Sequence, residues 1–191
     1  VGGPSVSACP HYYRTVDLLH LGEAGDATEA VIDRLARSVS RPARQEVYQT
    51  SQRTAMTALP APAYELVDMR RYFLGSVQFS SGCPFTCEFC DIPALYGRRP
   101  RLKSPEQVCL ELDAMLGRGL RGAVYFVDDN FIANPAATRC LLRALIDWQQ
   151  RRGYPIRFTC EATLNLSKMP DVLGMMREAC FTAVFCGIET P

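Results

Sequence analysis

The sequence predicts an α/β protein whose larger part is a portion of a parallel barrel, and three observations carry that expectation. From Leu74 onward, short strand-like runs alternate with helical runs over four successive units, a rhythm that pairs strands in parallel through right-handed crossovers. No Rossmann-type glycine fingerprint sits between one of these strands and the helix after it, which favours a barrel over an open doubly wound sheet. The chemistry-bearing residues fall just after the strands: three cysteines, then Asp128 and Asp129, then Glu161, then Gly187 and Glu189. In parallel barrels the working groups sit at the carboxyl ends of the strands.

The elements follow in order. Residues 16–21 read as a short buried strand and residues 22–25 as the turn after it. Asp26 and Glu29 have capping-box spacing, and Ala30, Ile32, Leu35 and Val39 form the apolar face of the helix that follows. Residues 1–39 therefore supply the closing strand and helix of an α/β domain. Residues 40–72 are expected to be a linker, because Pro42, Pro60 and Pro62 interrupt them and residues 45–57 are polar. Residues 73–191 form the barrel portion. Its first strand, residues 76–80, delivers the chain to the cysteines. Ser104 caps a helix that starts with Pro105 and buries Val108, Leu112, Met115 and Leu116. The second strand, residues 123–127, ends in Asp128-Asp129-Asn130. Asn134 and Pro135 open a helix through Trp148 that stops near Gly153. A third strand at 156–160, a helix at 172–179 and a fourth strand at 183–186 complete the series.

Composition narrows the function. The 191 residues suffice for one domain with a sizeable core or for parts of two, and 48% hydrophobic content is that of an ordinary soluble globular protein. No apolar run approaches the roughly 20 residues that span a bilayer, and no signal peptide is visible. A formal charge of +1 gives no electrostatic reason to expect nucleic acid as a partner. Nine cysteines without a secretory signal suit a reducing compartment. The chain opens at Val1 without an initiator methionine and ends just after an apolar run, so it is expected to be an internal fragment of a longer protein.

The chemistry centres on Cys83, Cys87 and Cys90. A structural zinc site is closed and tetrahedral, with four protein ligands, and a fourth is missing. His11 and His20 lie far upstream, and Cys109 sits alone in a helical pattern. A 4Fe-4S cube normally takes four cysteines, so three would leave one iron open to a ligand that is not protein. The bland alternative is a zinc knuckle or three unrelated buried thiols. Cys9, Cys109, Cys140, Cys160, Cys180 and Cys186, scattered on apolar patterns, are expected to be small buried hydrophobes.

Cys-x-x-x-Cys-x-x-Cys with Phe89 before the last cysteine resembles the cluster loop of the radical S-adenosylmethionine (SAM) enzymes. The resemblance implies that Cys83, Cys87 and Cys90 bind a 4Fe-4S cluster and that SAM chelates the open iron. It also implies that electron transfer to the sulfonium yields methionine and a 5′-deoxyadenosyl radical, the cofactor carrying the hard chemistry. Asp128, Asp129, Glu161, Gly187 and Glu189 on the strand ends would then contact SAM, carboxylates serving its ammonium and ribose. The family's usual Gly-Gly-Glu-like segment reads Val127-Asp128-Asp129-Asn130 here, so the amine ligand is not identified. Arg98, Arg99, Arg101 and Lys103 either offset the cluster's charge, touch the SAM carboxylate, or form a solvated basic run.

An α/β tail with Gly2-Gly3-Pro4 and Gly22-Glu23, a linker and then the cluster loop resembles the cobalamin-binding radical SAM class. The fold so implied is the first four strand–helix units of a radical SAM barrel, preceded by the C-terminal part of a Rossmann-like cobalamin-binding domain. Gly2, Gly3, Gly22 and Glu23 would lie near the cobalamin nucleotide tail. A tight turn without ligand is the alternative for Gly2-Gly3. The words at residues 2–10, 90–98 and 126–132 look most like the hopanoid C-2 methylases. That resemblance implies hydrogen abstraction from an unactivated carbon, methyl donation from methylcobalamin, and remethylation of the corrin by a second SAM. It further implies a hopanoid lipid substrate, a low-potential donor such as flavodoxin or ferredoxin, and a cytoplasmic protein with peripheral contact at the inner membrane. The rivals are a related enzyme acting on another hopanoid carbon or a porphyrin ring and, in another class, an iron-sulfur electron carrier or scaffold. With the fourth strand's edge unpaired, the isolated fragment is expected to be poorly soluble and inactive.

Overall fold

The computed structural model describes residues 1–188. The chain begins with a short helix, α1 (Pro4–Ala8), then strand β1 (Leu18–Leu21), helix α2 (Asp26–Arg37) and strand β2 (Glu46–Gln49). β1 and β2 pair in parallel from Leu18 opposite Glu46 to Leu21 opposite Gln49. The stretch expected to be a linker over 40–72 therefore contains a strand, and the first unit continues through it. β2 lacks an apolar period because its inward residues are polar. Glu46 accepts from the Tyr48 hydroxyl at 2.7 Å and from Arg34 Nε at 3.1 Å, and Val47 faces outward, 55% exposed.

Two expectations for α2 are corrected. Its N-cap is Gly25 rather than Asp26, with Thr28 Oγ1 accepting from the Gly25 amide at 3.1 Å. The Asp26 carboxylate instead accepts from the Ser51 hydroxyl and from the amides of Ser51 and Gln52 at 3.0 and 3.1 Å. Those bonds, the hydroxyl's first, hold its pKa down at about 2. The apolar stripe is not buried: Ile32, Leu35 and Val39 are 60%, 44% and 89% exposed. The helix meets its sheet through Ala27, and the stripe points away from the described strands.

The second unit holds strands β3 (Leu74–Val77), β4 (Ser80–Ser81) and β5 (Arg101–Leu102), with helix α3 (Ile92–Leu95) between the last two. Helix α4 (Pro105–Gly117), strand β6 (Gly122–Phe126), helix α5 (Pro135–Arg152), strand β7 (Ile156–Glu161), helix α6 (Pro170–Glu178) and strand β8 (Phe181–Phe185) follow. β3, β6, β7 and β8 form one parallel sheet in that order, the architecture of a barrel opened along one side. The helix signals behave as expected. Ser104 and Gln107 form a reciprocal capping box, Asn134 accepts from the Ala137 amide, and Gly153 ends α5 in the left-handed conformation.

The core lies between this sheet and helices α4, α5 and α6. Val124, Phe126, Phe158 and Cys160 from the strands meet Leu112, Met115, Leu141, Leu145 and Trp148, all at most 1% exposed. Burying each large side chain stabilises the fold by roughly 1.5–3 kcal/mol. Gly75 lets α4 come close, since a Cβ there would sit 2.7 Å from Met115 Sδ. A buried ion pair, Lys103 to Glu111 at 2.5 Å, sits at the start of α4 with side chains 8% and 3% exposed. The scattered cysteines are not uniformly buried: Cys160 is, Cys140 is exposed, and Cys9, Cys109, Cys180 and Cys186 are half-buried. An amphipathic helix tolerates a small thiol near its boundary as readily as in its core.

Candidate active site

The three cysteines ride on a loop that leaves β4 and returns to β5, its stem closed by the antiparallel pairs Ser80–Leu102 and Ser81–Arg101. Gly82 adopts φ +98° at the entrance, where a Cβ would come within 2.8 Å of the Gly97 carbonyl. Such a conformation strongly favours glycine. The Cys83 amide donates to that same carbonyl at 3.2 Å, and the Cys90 amide donates to Cys87 O at 3.1 Å. Cys87 is exposed and its two partners half-buried. Burial pushes the Cys83 pKa up, Cys90, Asp129 and Cys87 add to the rise, and a backbone bond at Phe85 opposes it. The other two cysteines thus lie close enough to act on the Cys83 thiol. Among the described residues, no three His, Cys, Asp or Glu side chains are placed to hold a metal ion. The donor set of three thiols on one short loop suits a cluster bound at separate corners.

Two adjacent aspartates brace this loop from the end of β6. Asp128, 1% exposed, takes one amide on each carboxylate oxygen, that of Phe79 at 3.1 Å and that of Ser80. Burial raises its pKa to about 6 against the pull of Ser80 and Phe79. Asp129 accepts from the Gly82 amide at 2.8 Å and lines a cavity of about 390 Å³. Its pKa is also raised, first by burial, with the Gly82 bond opposing. Glu161 ends β7 and accepts from the Tyr125 hydroxyl at 2.6 Å. Both project from the sheet face opposite the helices, because their strand neighbours Val124, Phe126 and Cys160 point into the core. Burial, then the bond to Glu161, pushes the Tyr125 pKa up to about 12. Gly187 is exposed beyond β8, and Glu189 lies outside the described residues.

The first unit closes the other side of the cavity, with Gly3, Gly22 and Glu23 facing Ser81, Tyr96 and Asp129 across it. Gly3 has φ +110° and Gly22 has φ +90°, and the Gly22 amide donates to Ser7 Oγ at 2.8 Å. Gly2 does not line the cavity; a Cβ there would meet His20 at 3.3 Å. Sequence reasoning assigned no role to Arg53, Ser81 or Tyr96; Arg53 stands in no motif, and Ser81 and Tyr96 lie on either side of the cysteines without a chemical signature of their own. Arg53 binds Glu23 at 3.0 Å and donates to Tyr96 O and Leu95 O at 3.0 and 2.9 Å. Arg101, expected at the cluster, at the SAM carboxylate or in a solvated basic run, donates to Glu23 at 2.5 Å.

Comparisons with known proteins bear on the family and the fold. Hopanoid C-2 methylase of Rhodopseudomonas palustris (strain TIE-1) is 58% identical over 191 residues, all of this chain and 36% of its own length. An uncharacterized methyltransferase of Synechocystis sp. is 40% identical over 193 residues, all of this chain and 35% of its own length. The chain therefore spans about a third of these relatives. The solved structure of the cobalamin-dependent S-adenosylmethionine radical enzyme OxsB with aqua-cobalamin superposes with a TM-score of 0.75. It covers all of this chain and 31% of its own, and at 21% identity the likeness is one of fold. Residues 77–191 match the radical SAM superfamily; because the match starts on the last residue of β3 and runs through the cysteine loop and every later strand, the chain belongs to that superfamily.

Proposed function

We propose that this chain is the cluster-binding part of a cobalamin-dependent radical SAM methyltransferase that methylates a hopanoid at C-2. The observation that carries the reading is the cysteine loop, braced by two aspartates and flanked by Ser81, Leu95 and Tyr96, which line a cavity whose far wall belongs to the preceding α/β unit. The 58% identity to a hopanoid C-2 methylase across the whole chain supports the substrate.

In this reading Cys83, Cys87 and Cys90 hold three corners of a 4Fe-4S cluster. When bound, cluster, SAM and cobalamin together supply hydrogen abstraction from a saturated carbon and a methyl group to replace the hydrogen. The residues of the chain do the positioning. Asp129, half-buried and acceptor-only when ionised, receives the SAM ammonium. Asp128 holds the loop and touches no cofactor. Glu161, oriented by Tyr125, offers its free oxygen to SAM, with Gly187 and Glu189 as further contacts. Gly3 and Gly22 present bare backbone to cobalamin, and Gly2 supports them from behind. The cobalamin-side unit runs from residue 1 through β2, and the radical SAM unit starts near residue 73. A flavodoxin or ferredoxin supplies the electron, and the lipid is met at the inner membrane's cytoplasmic face. No described helix is long and apolar enough to cross that membrane.

The test uses the full-length protein, purified without oxygen, reconstituted with iron and sulfide and then reduced by one electron with dithionite. Single Cys83→Ala, Cys87→Ala and Cys90→Ala variants are expected to lose the cluster's electron-paramagnetic signal, while Cys160→Ala keeps it. Adding SAM to the wild type is expected to change that signal. A signal indifferent to SAM, or stoichiometric zinc, refutes the cluster reading. Deleting the gene in its host is expected to abolish 2-methylated hopanoids; an unchanged lipid profile removes the substrate and leaves the radical chemistry standing.

A further inference from the structure

Glu23 was expected beside the cofactor, yet its carboxylate is already engaged. Its backbone is anchored in the first unit, where Thr50 Oγ1 donates to Glu23 O at 2.6 Å. Its side chain, 18% exposed, reaches the stem of the cysteine loop. There Arg101 Nη2 donates to both carboxylate oxygens at 2.5 Å, and the Ser81 hydroxyl donates to Oε1 at 2.9 Å. Arg53 adds its Nε at 3.0 Å. The same guanidinium caps the carbonyls of Leu95 and Tyr96, where α3 ends, at 2.9 and 3.0 Å. Ser81 lies just ahead of Cys83, and Leu95 and Tyr96 lie shortly after Cys90. One carboxylate therefore ties both ends of the loop to the neighbouring unit. Without it, two guanidinium groups would face each other unscreened.

We infer that Glu23 is a positioning residue rather than a cofactor contact. Through Arg53 and Arg101 it fixes the thiol loop against the first unit and so sets the width of the cavity between them. The inference rests on the proposed function for its catalytic consequence. The clamp also has a direct reading in the cofactor-free protein. The geometry separates the two roles: a cofactor contact would present a free oxygen, whereas both oxygens here are bound by Arg101 and share a second guanidinium and a hydroxyl. Ion pairs in such a network couple, so removing either partner should give the same defect and removing both should add little.

The experiment compares full-length wild type with Glu23→Gln, Arg101→Gln and the double variant. In the cofactor-free proteins, amide exchange over residues 92–99 is expected to accelerate about tenfold in each variant, with no further gain in the double. Exchange in α5 should stay unchanged. Titration with hydroxocobalamin should give the same affinity throughout. In the loaded enzyme, 5′-deoxyadenosine released per methyl transferred is expected to rise about tenfold as the two cofactor sites lose register. Weaker hydroxocobalamin binding in Glu23→Gln alone would make Glu23 a ligand and overturn the inference, as would unchanged exchange over 92–99. Should α5 also loosen, Arg53→Lys, which keeps the charge and loses the two-carbonyl fork, is the milder probe. Faster exchange over 92–99 then supports the clamp, and unchanged exchange refutes it. A wild type that binds no hydroxocobalamin sinks the proposed function, and the exchange measurement still judges the clamp.

Discussion

Replacing Asp128 with asparagine isolates the cost and the use of a buried carboxylate. The folded protein holds this group at about 6, against its ordinary 3.8, chiefly because burial penalises the charge. Between those values the folded state carries more protons than the unfolded one, so stability from this group is fully present below 3.8 and is lost as pH rises through about 6. A shift of about two units amounts to about 3 kcal/mol, of which about 2 kcal/mol falls between about pH 4.5 and about pH 7. Asparagine matches the shape and does not titrate. At either pH it also turns an NH2 group toward a backbone amide of Phe79 or Ser80, which costs about 1–3 kcal/mol. The variant's deficit against wild type should therefore be about 2 kcal/mol larger at about pH 4.5 than at about pH 7. Urea titrations of the full-length, cofactor-free protein check this, with folding read by hydrogen-exchange mass spectrometry on peptides covering β6. A deficit that is constant with pH, or greater at neutral pH, would refute the account of Asp128.

Two further substitutions probe the scaffold. Glu111→Ala strands the Lys103 ammonium in the core and should cost about 3–5 kcal/mol, whereas Lys103→Met with Glu111→Leu should come within about 1–2 kcal/mol of wild type; the same urea titrations decide. Gly82→Ala places a methyl group against the Gly97 carbonyl in a left-handed conformation, so anaerobic reconstitution should yield little bound iron, close to the level of Cys83→Ala. Full iron content in that variant would show that the loop entrance can relax.

What the sequence made legible was local. Ser104 ahead of Pro105, Asn134 ahead of Pro135, and Gly153 each act within a few residues, and the cap of α4 and both ends of α5 followed from them. The cysteine spacing identified the loop for the same reason. Contacts between distant segments stayed hidden. β2 turns a half-buried polar network inward instead of an apolar face, and β4 and β5 are two residues each, too short for any period. Asp128 and Asp129 read identically as strand-end acids, but one is sealed inside and the other reaches the cavity. Glu23 and Arg101 are 78 residues apart, and nothing in either neighbourhood announces the other.

Phe131 follows the two aspartates and is 1% exposed, its ring 5.1 Å from both Phe126 and Phe181. The segment after β6 is thus rooted in the aromatic interior rather than draped over it. Transplanting residues 128–130 alone from a relative would import the acids without their root. A graft meant to change this segment must carry the phenylalanine and a matching socket, so sequence change is easier at strand ends that lack such an anchor.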